Sequence, residues 1–171
     1  MTASEQSTGS NGTVGVLAIS RDDQWAHVYE DERAAVGVST FGRSGQDPSD
    51  IEFFDGTGRS LTPEYGPDGG LTGLRPSSSP TDPEAVQRRL RAVIAYAGDY
   101  LRQQRADAGD ASDDLAPKFD TAERQLPELE GGSLAEDLKH VRTILGPHPM
   151  DGDLQNRGSF FHNLFVHGMR T

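Results

Sequence analysis

A chain of 171 residues is long enough to bury a substantial core, and 33% apolar residues with 20 glycines leave long polar stretches outside it. With no cysteine there is no disulfide framework, thiolate nucleophile, iron–sulfur cluster or cysteine-type zinc site. A net charge of −11 opposes binding to nucleic acid or anionic membrane, both of which call for clustered Lys and Arg.

Lys118 and Lys139 are the only lysines among the 16 basic residues, so the positive charge is almost all guanidinium. The acidity reads most simply as solubility or salt adaptation, and less simply as a surface for a basic partner. No apolar run approaches the roughly 18–20 residues of a membrane span. Residues 1–12 have neither the basic nor the apolar region of a secretory signal. The sequence is therefore expected to be that of a soluble, cytoplasmic protein.

Residues 1–12, rich in Ser, Thr, Gly and Asn, are expected to form a disordered arm. A single α+β domain is expected over residues 13–171, strand-rich over 13–75 and helical over 82–171. Residues 13–20 are Val- and Ile-rich and read as a strand closed by the polar turn Arg21-Asp22-Asp23. Residues 24–30 alternate, with Trp25, His27 and Tyr29 on one face and Ala26 and Val28 on the other. Residues 34–41 read as a further strand, joined to the previous one by a hairpin turn at Asp31-Glu32-Arg33.

After a polar loop at 42–50, residues 51–61 place two short arms around Asp55-Gly56-Thr57-Gly58, which supplies the positive φ of a tight hairpin. A turn at Pro67-Asp68-Gly69-Gly70 leads to an edge strand at 71–74. About five such strands make an antiparallel β-meander, with helices packed against it.

The helices follow a Ser/Pro linker. Asp82 is an N-cap and Pro83 a first helical residue, and Val86, Leu90, Val93, Ile94, Ala97, Tyr100 and Leu101 recur at helical spacing to about residue 105. Residues 106–114 read as an acidic linker and 120–126 as a short helix stopped by Pro127. Ser133 and Glu136 form a capping box for a helix with Leu134, Leu138, Val141, Ile144 and Leu145 as its buried stripe. These helices are expected to cover one face of the sheet, and residues 159–169 to form a last helical segment.

Three sets of residues carry possible chemistry. His148, Asp151, Asp153 and His162 combine imidazole with carboxylate, the ligand set of a catalytic zinc, manganese or iron site. Their spacing argues against it: His162 and His167, five apart, lie about 140° apart on a helix. Trp25, His27 and Tyr29 suit either an aromatic-lined ligand pocket or a half-buried strand face. Arg88, Arg89 and Arg91 suit either an acidic or phosphorylated partner or pairing with nearby Asp and Glu.

No phosphate loop, dinucleotide fingerprint or nucleophile elbow is present. No cofactor is implied. Phe160, Phe161, Leu164, Phe165 and Met169 concentrate aromatic and thioether side chains on one helical face, the composition of an interface core or of a closing helix docked internally. The reading that follows is a non-enzymatic interaction or assembly protein whose partner is another protein or a second copy. A small metal-dependent enzyme and a small-ligand-binding module are the alternatives.

Overall fold

The computed structural model describes residues 15–37, 48–107, 112–129 and 131–145. The expected α+β architecture is present, with a five-stranded antiparallel sheet in the N-terminal part and helices after it. The strands are β1 (Val16–Ser20), β2 (Ala26–Tyr29), β3 (Ile51–Asp55), β4 (Ser60–Tyr65) and β5 (Leu71–Pro76). They lie in the order β2-β1-β3-β4-β5, so β3 to β5 run as a meander while the chain crosses past β1 between β2 and β3. The expected arm at residues 1–12 lies outside the described residues.

Period-two alternation divides the sheet between two cores. Val16, Ala18, Trp25, Tyr29, Ile51 and Phe53 belong to one; Leu17, Ile19, Ala26 and Val28 belong to the other, with Phe54 packed against it. Phe53 is completely buried. Removing a side chain of that kind from water contributes about 1.5–3 kcal/mol.

The strand expected at residues 34–41 is not formed over its described part, residues 34–37. Residues Glu32–Gly37 are helix α1, and residues 38–47 lie outside the described residues. Asp31 explains the difference: its carboxylate accepts the Ala34 N–H at 2.7 Å, an N-cap at the place read as a hairpin turn. Ala34 and Ala35 then favour helix, and only Val36 is β-branched. Helix α1 lies on the Phe53 side, where Ala35 is fully buried. It touches both edge strands, β2 and β5. Glu32 accepts the Leu74 N–H at 3.0 Å. Pairing of Leu74 with Pro63 turns that N–H outward from the ladder, so Glu32 occupies a donor that an edge strand would otherwise expose.

Helices α2 (Pro83–Asp107) and α4 (Leu134–Leu145) cover the opposite side through Val86, Leu90, Val93, Leu134, Leu138 and Val141. The two helices thus cover one face, as expected, and α1 adds helix on the other. Asp82 caps α2 by accepting the Ala85 N–H at 2.9 Å. Ser133 and Glu136 form the expected box: Glu136 accepts the Ser133 N–H at 2.8 Å, and Ser133 Oγ accepts the Glu136 N–H at 3.3 Å. The backbone and then the hydroxyl of Ser133 hold the Glu136 carboxyl below its usual range. Gln87 ties α2 to the start of α4, donating to the buried Asp137 carboxylate at 2.8 Å and to the Gly132 carbonyl at 2.7 Å.

Where it is described, the acidic stretch read as a linker is helical: α2 continues to Asp107, and α3 (Ser112–Arg124) begins well before the expected residue 120. Helix α3 packs on α2, where Gly98 lets the Leu126 side chain approach and Arg105 pairs with Asp120 at 2.7 Å.

Candidate functional site

The sequence placed three arginines together on α2, and the fold separates them. Arg89 turns toward the sheet. Its Nε donates to Asp23 at 2.7 Å, Nη1 to Glu52 at 2.6 Å and Nη2 to the Ser20 carbonyl at 2.9 Å. The guanidinium also lies 5.7 Å from the centre of the Phe54 ring. Asp23 itself takes φ of 55°, in the left-handed region, and Ser20 Oγ fixes the same turn by accepting the Gln24 and Trp25 N–H groups. This junction fastens α2 to the β1–β2 turn. Its donors and acceptors face one another, so its chemistry is structural.

Arg88 and Arg91 are exposed on the outer side of the same helix. Among the described residues neither has an ion-pair partner. Ala92, Ala95, Tyr96, Asp99 and Tyr100 of the same helix are exposed as well. The rings of Tyr96 and Tyr100 stack with centroids 6.5 Å apart. Tyr100 had been expected in the buried stripe, yet it is 36% exposed, because Val93, Ala97 and Leu101 already fill the seam against the sheet and α3. Tyr96 was missed altogether. Its i, i+4 spacing from Tyr100 was the available signal.

The row of Trp25, His27 and Tyr29 lies on the α1 side of β2. His27 stacks on Trp25 at 6.4 Å and tilts against Tyr29 at 4.3 Å. Trp25 and Tyr29 are buried in the core with Ala18 and Phe53, and only His27 keeps intermediate exposure. Burial pushes the Tyr29 phenol well above its usual value. The row is therefore mostly packed interior. A cleft of about 430 Å³ lies along α1, lined by Asp31, Glu32, Arg33 and Val36. Asp31 and Glu32 already accept backbone N–H groups there.

His148, Asp151, Asp153 and His162 lie outside the described residues, as do Phe160, Phe161, Leu164, Phe165 and Met169. Among the described residues no three His, Asp or Glu side chains are placed to hold a metal ion. No helix among them is long and apolar enough to cross a membrane. Compared with known protein families, curated proteins and solved structures, the chain matches none.

Proposed function

We propose that this protein works by binding another protein or a second copy of itself, and that the outer face of α2 is a binding surface. The exposed, stacked Tyr96–Tyr100 pair, on the helix that also exposes Arg88 and Arg91, carries the reading. Tyrosine and arginine dominate the residues whose truncation costs most at protein interfaces, because each combines a large apolar contact with directed hydrogen bonds. The setting adds to this. In a chain of charge −11, α2 exposes Arg88, Arg91 and Arg102 alongside Glu84, Asp99 and Asp107, so this face carries both signs and suits a partner surface that does the same.

The aromatic segment with Phe160, Phe161, Leu164, Phe165 and Met169 is a second candidate surface on composition alone.

The experiment compares wild-type protein with Tyr96→Ala, Tyr100→Ala and Arg91→Glu, measuring both the melting temperature and the species recovered with it from its native host. Stable variants that lose a stoichiometric companion, or lose self-association, support the reading. If all three retain every companion and the same mass in solution, the α2 face is not a binding surface.

A further inference from the structure

The outer face of α2 has a charge pattern that is its own complement when read backwards. Arg88, Ala92, Ala95 and Asp99 are spaced four, three and four apart, and at 100° per residue they fall within an arc of about 60°. All four are exposed. The sequence along this stripe is thus cation, small, small, anion.

We infer that α2 packs antiparallel against α2 of a second copy, about a two-fold axis midway between Val93 and Ile94. This rests on the proposal that the outer face is a binding surface, and it names the occupant. In that register Arg88 of each copy faces Asp99 of the other, and Ala92 faces Ala95. Both contacts occur twice, as two-fold symmetry requires. The alanines let the helix axes approach to about 8 Å, the close end of the packing range. On one flank Glu84 comes within a residue of Arg102 of the other copy, adding two more opposite-charge contacts. On the other flank lie the Tyr96 rings, which widen the apolar seam.

A parallel arrangement would set Arg88 against Arg88 and Asp99 against Asp99, so the charges select the antiparallel one. Charge also favours this occupant over an unrelated acidic protein: such a partner would be met by Arg88 and Arg91 but repelled by Asp99. Asp99 pairs with Arg102 inside its own helix, with side chains 73% and 64% exposed. An ion pair that open to water is worth little alone and leaves the carboxylate available for Arg88 of a second copy. A single helix crossing lies below the roughly 1,200 Å² of smaller stable interfaces, so the dimer is weak and concentration-dependent.

Charge exchange tests it, by sedimentation equilibrium over a wide concentration range at physiological ionic strength. Wild-type protein is expected to move from the 18.5 kDa monomer toward twice that mass as concentration rises. Arg88→Glu and Asp99→Arg each place like charges at both symmetric contacts and should weaken association by at least about tenfold. Combining them restores opposite charges, and the double variant should dimerise as the wild type does. Circular dichroism melts of all four proteins check that each is folded. Wild-type protein that stays monomeric throughout, or a dimer indifferent to the single exchanges or not rescued by the double one, overturns the inference. A monomer that still loses a stoichiometric partner on Tyr96→Ala overturns only the self-pairing and leaves the binding surface standing.

Discussion

The guanidinium of Arg89 on α2 and the carboxylate of Asp23 in the β1–β2 turn meet at 2.7 Å although 66 positions separate them. Their side chains are 23% and 29% exposed, so water weakens the pair only in part. Arg89→Met removes three hydrogen bonds and leaves the Asp23 and Glu52 carboxylates without their guanidinium donor, while the Ser20 carbonyl keeps the Asp23 N–H. A loss of about 2–3 kcal/mol in urea unfolding is expected. Combined with Asp23→Asn, the total should fall short of the sum of the single effects by about 1–2 kcal/mol, as for groups in direct contact. Simple additivity would show that the pair does not couple the turn to the helix.

Two glycines with nearly the same backbone angle separate conformational strain from crowding. Gly58 has φ of 79° and Gly69 has φ of 76°. A Cβ on Gly69 would meet nothing within 4 Å, whereas one on Gly58 would lie 2.5 Å from the Pro83 backbone, where the β3–β4 hairpin seats the start of α2. Gly69→Ala should therefore cost only the left-handed penalty, about 1–2 kcal/mol. Gly58→Ala should cost at least about twice that, since the Asp82 N–H to Gly58 carbonyl bond at 3.1 Å must also yield. Matching melting temperatures for the two variants would make the Pro83 contact dispensable.

Tyr29 gives an alkaline signature. Its phenol is buried, no hydrogen bond to its hydroxyl is present among the described residues, and burial raises its pKa above the ordinary value near 10. The folded state then holds the proton more tightly than the unfolded state. This contribution is complete below about pH 10, where both states are protonated, and declines as pH rises through the folded value. Tyr29→Phe should lie within about 1 kcal/mol of the wild type at pH 7, because no hydrogen-bond partner is abandoned. Above about pH 10 the variant should become the more stable of the two. Parallel unfolding curves across that range would place the phenol in contact with water.

Much of the secondary structure was legible because its causes are local. The Asp82 cap, the Ser133–Glu136 box and the Asp55–Gly58 hairpin each depend on residues within four positions of one another. Alternation likewise assigned Trp25, His27 and Tyr29 to one face and Ala26 and Val28 to the other. The reading failed at Glu32–Gly37, where a short apolar run fits strand or helix alike and only the Asp31 cap tips it. It failed again at Tyr100, placed in the buried stripe by spacing alone; how wide that stripe is depends on what packs against it. The candidate residues near the C-terminus lie outside the described residues, whereas on α2 the arginines were legible as a partner surface and Tyr96 was not.

Sequence by itself determined the antiparallel α+β class, the absence of thiol chemistry, the strong negative charge and the placement of two helix starts, all of which follow from composition or from neighbours along the chain. Tertiary structure decided the rest. The register of β4 with β5 carries a bulge that pairs Glu64 with Gly73 but Tyr65 with Leu71, leaving Thr72 over. That extra residue lets Leu71 and Leu74, three apart, both face the core, against the rule of two. Arg89 and Arg91 differ in fate for a similar reason. On one helix they are alike in chemistry and two positions apart, but 3.6 residues per turn sends one toward the sheet's carboxylates and the other to solvent. Which side meets the carboxylates is fixed only when β1, β3 and α2 are brought together, by the burial of Leu17, Val86, Leu90 and Val93 rather than by any local preference.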